Sequence, residues 1–156
     1  MPAVVPNRDY YLSVNGIVLA CPAWQITNIG ELFDDPDVRG DDTPLPYVSG
    51  ETSHRRRTTG SIYTFNMEII GQRDTDGSTI ANAPLGLITH RDYLRANLGL
   101  AKATGDGTVP FVFYRSTAAS LTASGHFLGF KGSRFVPPAT LYTTFDIKVT
   151  SAGGFV

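Results

Sequence analysis

Apolar and polar residues alternate in several short runs along this chain, and only one run carries a helical period. The strictest alternation is "TLYTTFDIKVT", residues 140–150. There Leu141, Thr143, Phe145, Ile147 and Val149 fall on one face, and Tyr142, Thr144, Asp146 and Lys148 on the other. A period of two marks a strand with one buried face. "SIYTFNMEIIG" (61–71) reads the same way, with Tyr63, Phe65, Met67 and Ile69 opposite Thr64, Asn66 and Glu68. Near the N-terminus, "YYLSVNGIVLA" (10–20) places Asn15-Gly16 between two β-rich runs. That pair tolerates positive φ at both central positions of a type I′ turn, so a hairpin is expected. "AWQITNI" (23–29) continues as a strand with Trp24 and Ile26 on one face, and "VPFVFYR" (109–115) is a short apolar strand. "SLTASGHFLGFKG" reads as two strand segments around Gly125.

The helical exception is "ITHRDYLRANLGL". Thr89 suits an N-cap with Asp92 three residues on, Leu87, Leu94 and Leu98 share a stripe, and Gly99 sits where the helix would stop. One short helix among many strands predicts an α+β or mostly-β sandwich.

Between Glu31 and about Gly60 the periodicity is lost. This proline- and glycine-rich stretch reads as one long loop, a feature that in compact domains usually serves function or stays disordered. It carries an acidic block (Glu31, Asp34, Asp35, Asp37, Asp41, Asp42) and then a basic one, "HRRR", with Arg55, Arg56 and Arg57. Carboxylates this close would oppose the phosphate attraction on which nucleic-acid binding rests. The two blocks suit docking against another subunit, where charge sets register and partner choice, and equally suit a solvated loop. The candidate interface residues are therefore Asp34, Asp35, Asp37, Asp41, Asp42, Arg55, Arg56 and Arg57.

Composition sharpens this. At 156 residues the chain predicts a single domain. Charged residues are 17% of the total and the net charge is −1, where ordinary domains carry roughly 25% charged residues. A charge-poor surface fits one that faces other protein, as does a surface rich in Ser and Thr. The single cysteine, Cys21, rules out an internal disulfide framework and a cysteine-based zinc site. "MPAVVPNRDYY" lacks the basic-then-apolar order of a secretory signal, and no apolar run is long enough for a membrane helix. A soluble protein of a reducing compartment is expected.

Chemistry finds little footing. His54, His90 and His126 fall in a loop, a helix start and a strand, with no acid or second histidine at ligand spacing. "RDTDGST" (73–79) lacks the remaining ligands of a calcium loop and reads as a polar turn between strands. "RGD" at 39–41 has no secreted context, and "GLAKATGDGT" lacks the Gly-Lys-Ser/Thr ending of a phosphate loop. No catalytic role, metal or cofactor is expected.

Taken in order, the "VNG" hairpin, "LPYVSG", "RRRTTGSIYTFNMEIIG", "LRANLGL", "GTVPFVFY" and "TTFDIKVTSAGGF" resemble the N-terminal domain of distal tail proteins (Dit) of long-tailed phages, the siphophages, also called minor tail proteins. The resemblance runs through residues 10–156 as an order of features, with no single signature motif. It implies a β-sandwich or split β-barrel with one helix, related to tail-tube subunits. It implies a structural virion protein, assembled in the bacterial cytoplasm as a hexameric ring at the distal end of the tail. One side of such a ring meets the tail tube and the other the tail hub or baseplate, and its lumen passes DNA and tape measure without specific binding. Many members carry a further C-terminal domain, often galectin-like, which the resemblance here does not cover, so sugar binding is not expected. Two alternatives stay open: a tail-tube or tail-terminator subunit, and a monomeric β-sandwich module that binds sugar or peptide.

Overall fold

In a computed structural model the structure describes residues 6, 10–28, 38–39, 43–44, 51–52, 57–58, 62–98, 108–115 and 118–149. The strands are β1 (Tyr10–Val14), β2 (Ile17–Val18), β3 (Trp24–Asn28), β4 (Val38–Arg39), β5 (Thr43–Pro44), β6 (Glu51–Thr52), β7 (Arg57–Thr58), β8 (Ile62–Ile70), β9 (Val109–Arg115), β10 (Ala118–Val136) and β11 (Thr140–Val149); α1 spans Ala83–Asn97. Seven of them form one antiparallel sheet in the order β2-β1-β9-β10-β11-β8-β3, curled into a half-barrel. The architecture is thus the split-barrel form of the expected mostly-β fold. The second large sheet of a sandwich is not among the described elements.

The predicted hairpin starts the sheet. Asn15 and Gly16 take φ of 51° and 81°, and Val14 pairs with Ile17 across the turn. The sheet's two edge strands, β2 and β3, are consecutive in the chain. Backbone bonds join them at a corner: Ile26 N–H donates to the Leu19 carbonyl at 3.1 Å and Cys21 N–H to that of Trp24 at 2.9 Å. Drawing the edges together here curls the sheet about its inner face.

That inner face is the core. Leu12, Val14, Trp24, Ile26, Phe65, Met67, Ile69, Phe111, Phe145 and Ile147 are all buried on it, as the alternation in each strand requires. Phe145 lies at the centre, with ring centroids of Phe65 at 5.4 Å and Phe127 at 5.5 Å. In β11 the expected inner face is buried from Thr143 to Val149, but Asp146 of the opposite face is buried too and Leu141 only partly so.

The helix closes the core and begins earlier than its periodicity suggests. Asn82 is the N-cap, its Oδ1 accepting from Leu85 N–H at 3.2 Å, and Pro84 occupies the first turn where an N–H is dispensable. Thr89, the expected cap, lies inside the helix and donates to the Leu85 carbonyl at 2.9 Å. The stripe was legible: Leu87, Leu94 and Leu98 are buried. Gly99 lies outside the described residues. The helix reaches the sheet at a glycine contact. A Cβ on Gly86 would stand 2.4 Å from the Gly71 carbonyl oxygen, and one on Gly71 would stand 2.2 Å from that of Ala83.

Two further readings change. β10 is one 19-residue strand and does not break at Gly125, which stays paired with Val149. A Cβ there would meet the Lys148 carbonyl oxygen at 2.3 Å, so the glycine serves close strand approach. The irregularities lie further on, between Phe127 and Phe130 and between Lys131 and Arg134, where Gly129 and Gly132 have φ of 89° and 62°. Residues 73–79 do form a polar turn, but between β8 and α1 instead of two strands. Asp76 accepts from the backbone and hydroxyl of Ser78, which lowers its pKa, and Asp74 N–H donates to the Ser78 carbonyl.

Candidate functional site

Most of the charged residues singled out by sequence, Asp34, Asp35, Asp37, Asp41, Asp42, Arg55 and Arg56, lie outside the described residues, as do His54 and the tail after Val149. Arg57 is placed by its backbone, in β7 opposite Arg39 of β4. The stretch read as a loop therefore contains strands. Val38 pairs with Thr58, Arg39 with Arg57, Thr43 with Thr52 and Pro44 with Glu51. In sequence, the β5–β6 pair lies within the span bracketed by the β4–β7 pair. Each of these strands is two residues long, too short for the alternation that reveals a strand.

The outer face of the large sheet was only partly legible. The strict alternation of β11 puts Tyr142, Thr144, Asp146 and Lys148 there. Register then aligns Arg134, Tyr142, Glu68 and Gln25 in one row across β10, β11, β8 and β3. Each member touches the next. The Arg134 guanidinium lies 5.2 Å from the Tyr142 ring centre, Tyr142 Oη donates to Glu68 Oε1 at 3.4 Å, and Gln25 Nε2 donates to Glu68 Oε2 at 2.9 Å. Beside this row, Lys131 ion-pairs with Asp146, which also accepts from Thr64 Oγ1 at 2.7 Å. The bond from Lys131 holds the Asp146 carboxyl below its usual range, against the opposing effect of burial. Thr27, Gly132 and Thr144 border the shallow depression over these rows. The row is a fixed polar surface of mixed charge, and it presents neither a nucleophile-base pair nor a free aromatic platform.

A second surface feature is a groove of about 410 Å³ between α1 and β10, lined by Arg91, Arg95, Leu128, Gly129, Phe130 and Ser133. Leu128 is exposed on the irregular segment between the paired Phe127 and Phe130. Among the described residues Arg91 bonds to its neighbour Asp92, at 2.9 Å, with both side chains half exposed. Neither the groove nor Leu128 had a sequence signal, because both depend on the β10 irregularity.

Among the described residues, two groups of kinds often used in catalysis, His90 and Cys21, are packed into the interior. His90 lies mid-helix and not at the helix start. Its Nδ1–H donates to the Ile70 carbonyl at 3.1 Å and its ring meets Trp24 edge-on at 5.5 Å. Burial lowers its pKa. Cys21 is buried, which pushes its thiol up. Among the described residues no cluster of three His, Cys, Asp or Glu side chains could hold a metal, and no helix is long and apolar enough to cross a membrane.

No protein-family model matches the chain, and no curated protein matches it. Among solved structures it is similar to the Dit protein of phage SPP1, described as a paradigm of the hub adsorption apparatus in phages that infect Gram-positive bacteria. The TM-score is 0.60 at 12% identity; the match covers 93% of this chain and 51% of that one, so this chain spans about half the length of its structural relative. At that identity the likeness is one of fold alone.

Proposed function

We propose that this chain is a structural component of a long-tailed phage tail, and that its 156 residues act as a ring-forming domain at the distal end of the tail tube. The observation that carries the reading is the fold likeness to the SPP1 Dit protein over 93% of this chain. In this reading copies of the chain, six to a ring, stack on the tube on one side and on the hub or baseplate on the other, leaving a lumen for genome passage. The β4–β7 and β5–β6 pairs and the acidic and basic blocks around them meet the neighbouring copy or ring. The low charge content supports a surface largely covered by protein.

The test is the mass of the purified protein by light scattering at low and high salt, with negative-stain images of the same sample. Closed rings that loosen as salt rises are the expected result. Long cylinders would transfer the chain to the tail tube. A monomer that binds neither tail-tube nor hub protein, but binds a glycan or peptide, would replace the reading with a binding module.

A further inference from the structure

We propose that the groove between α1 and β10 is the receptor for the acidic segment Glu31–Asp42 of a second copy of this chain. The proposal rests on the ring reading above and names one contact within it.

The groove has two chemical halves. Leu128 and Phe130 give it an apolar wall, and Leu128 is 50% exposed although it sits in a strand. Arg91 and Arg95 give it a cationic rim. They lie one helical turn apart, so their side chains rise about 6 Å from each other on one face. Ile88, 53% exposed and three residues before Arg91, extends the apolar side of that face. Arg95 has no carboxylate partner among the described residues, and Arg91 has only the adjacent Asp92. The surface thus calls for a ligand that offers apolar side chains followed by carboxylates.

The chain itself contains such a ligand. In "ELFDDPDV" the apolar pair Leu32-Phe33 precedes Asp34, Asp35 and Asp37. Pro36 disfavours helical backbone at Asp35. In an extended segment Asp35 and Asp37 would project to the same side about 7 Å apart, which matches the rise between the two arginines. Phe33, on the same side as Asp35 and Asp37, would then reach the Leu128 wall.

Donor and acceptor are different surfaces of the same chain. A contact of that kind is heterologous, and repeated around an axis it closes a ring, with every copy giving one segment and receiving another. It also gives the acidic block a partner other than the Arg55–Arg57 triplet, which frees the triplet for a different surface.

Cys21 is buried, so an engineered cysteine supplies the accessible thiol for a cross-linking test. Full-length Asp35→Cys and Arg95→Cys proteins are mixed, oxidised and run on a denaturing gel. The expected product is a disulfide-linked dimer in the mixture at least about tenfold more abundant than in either protein alone. In parallel, Arg91→Glu/Arg95→Glu should raise the concentration needed for assembly about tenfold at low salt. Mixing that variant with Asp35→Arg/Asp37→Arg chains should restore part of it. Thermal melting of each variant checks that the fold is kept. Rings that form without the cross-link would overturn this contact and leave the ring reading standing. A monomer in which the Asp35→Cys/Arg95→Cys double variant closes on itself would overturn both. A monomer with no cross-link would overturn the proposal as well.

Discussion

The side-chain amide of Asn15 donates to the main-chain carbonyl of Asn97 at 2.8 Å, tying the turn of the first hairpin to the last turn of α1 across 82 residues of chain. Helix C-termini leave carbonyls without intrahelical donors. Here one of them is satisfied by a residue that the hairpin already requires, since Asn15 sits at φ 51°. The two roles can be separated. Asn15→Gly keeps the turn and loses the bond, so it should cost about 1 kcal/mol in denaturant unfolding. Asn15→Ala strains the turn as well and should cost more. Equal losses in the two variants would show that the link to Asn97 carries all of the effect.

The Gly71–Gly86 contact sets how closely α1 lies on the sheet. In an ordinary exposed helix position Gly→Ala stabilises, but the missing Cβ of Gly86 would meet a backbone oxygen at 2.4 Å. Gly86→Ala should therefore destabilise, by about 1–3 kcal/mol in chemical denaturation, as the helix is pushed outward. A gain in stability would mean that the helix can shift without cost.

His90 and Asp146 make the protein sensitive to acid, in separate windows. His90 is held neutral by burial, so its folded pKa lies below the ordinary 6.5. Between those values the unfolded chain takes up a proton that the folded chain refuses, and stability falls as pH drops below about 6.5. The stability advantage of the wild type over His90→Gln should shrink from about pH 7 to about pH 5. Asp146, whose folded pKa is lowered chiefly by Lys131, acts further down. Its contribution is complete above the ordinary 3.8 and is lost as pH falls through its folded value. Asp146→Asn should remove that lower component in melting curves taken at stepped pH.

The outer row makes a weaker claim on stability. Tyr142 and Glu68 meet at 3.4 Å near solvent, and exposed contacts of this kind contribute no more than about 1 kcal/mol. Glu68→Gln should change the midpoint of unfolding little. A loss of several kcal/mol would show that the row acts as one unit.

Arg56→Glu should weaken assembly most at low salt and leave the melting temperature of the monomer unchanged. Sedimentation at two ionic strengths, beside a thermal melt, checks both halves of that expectation. Assembly that is the same at every ionic strength would remove the arginine triplet from the interface.

How far the sequence carried the fold depends on the length of each repeat. β8 and β11 each span enough residues for alternation to be unmistakable; the buried positions of β8 fell where the pattern put them, while in β11 Asp146 of the polar face is buried as well and Leu141 only partly so. The start of α1 was missed because Thr89-His90-Arg91-Asp92 imitates a capping box, while the real cap, Asn82, is followed by proline and glycine, which look like a loop. The β4–β7 and β5–β6 pairs were missed because each of their strands is two residues long. The Arg134–Tyr142–Glu68–Gln25 row needed register between strands far apart in sequence, which no local pattern encodes.

The order of strands also decides when this chain can fold during synthesis. β1 finds its long partner only in β9, and β8 finds its own in β11, so the N-terminal strands are joined across the sheet by a meander that follows them in the chain. β1 keeps one side without its long antiparallel neighbour until about Arg115 has emerged, and β8 until about Val149. Closure is then a late event that depends on distant pairing, slow by nature and open meanwhile to wrong partners. A nascent chain stalled before β11 should remain sensitive to protease, and one released a few residues beyond it should become resistant in a single step.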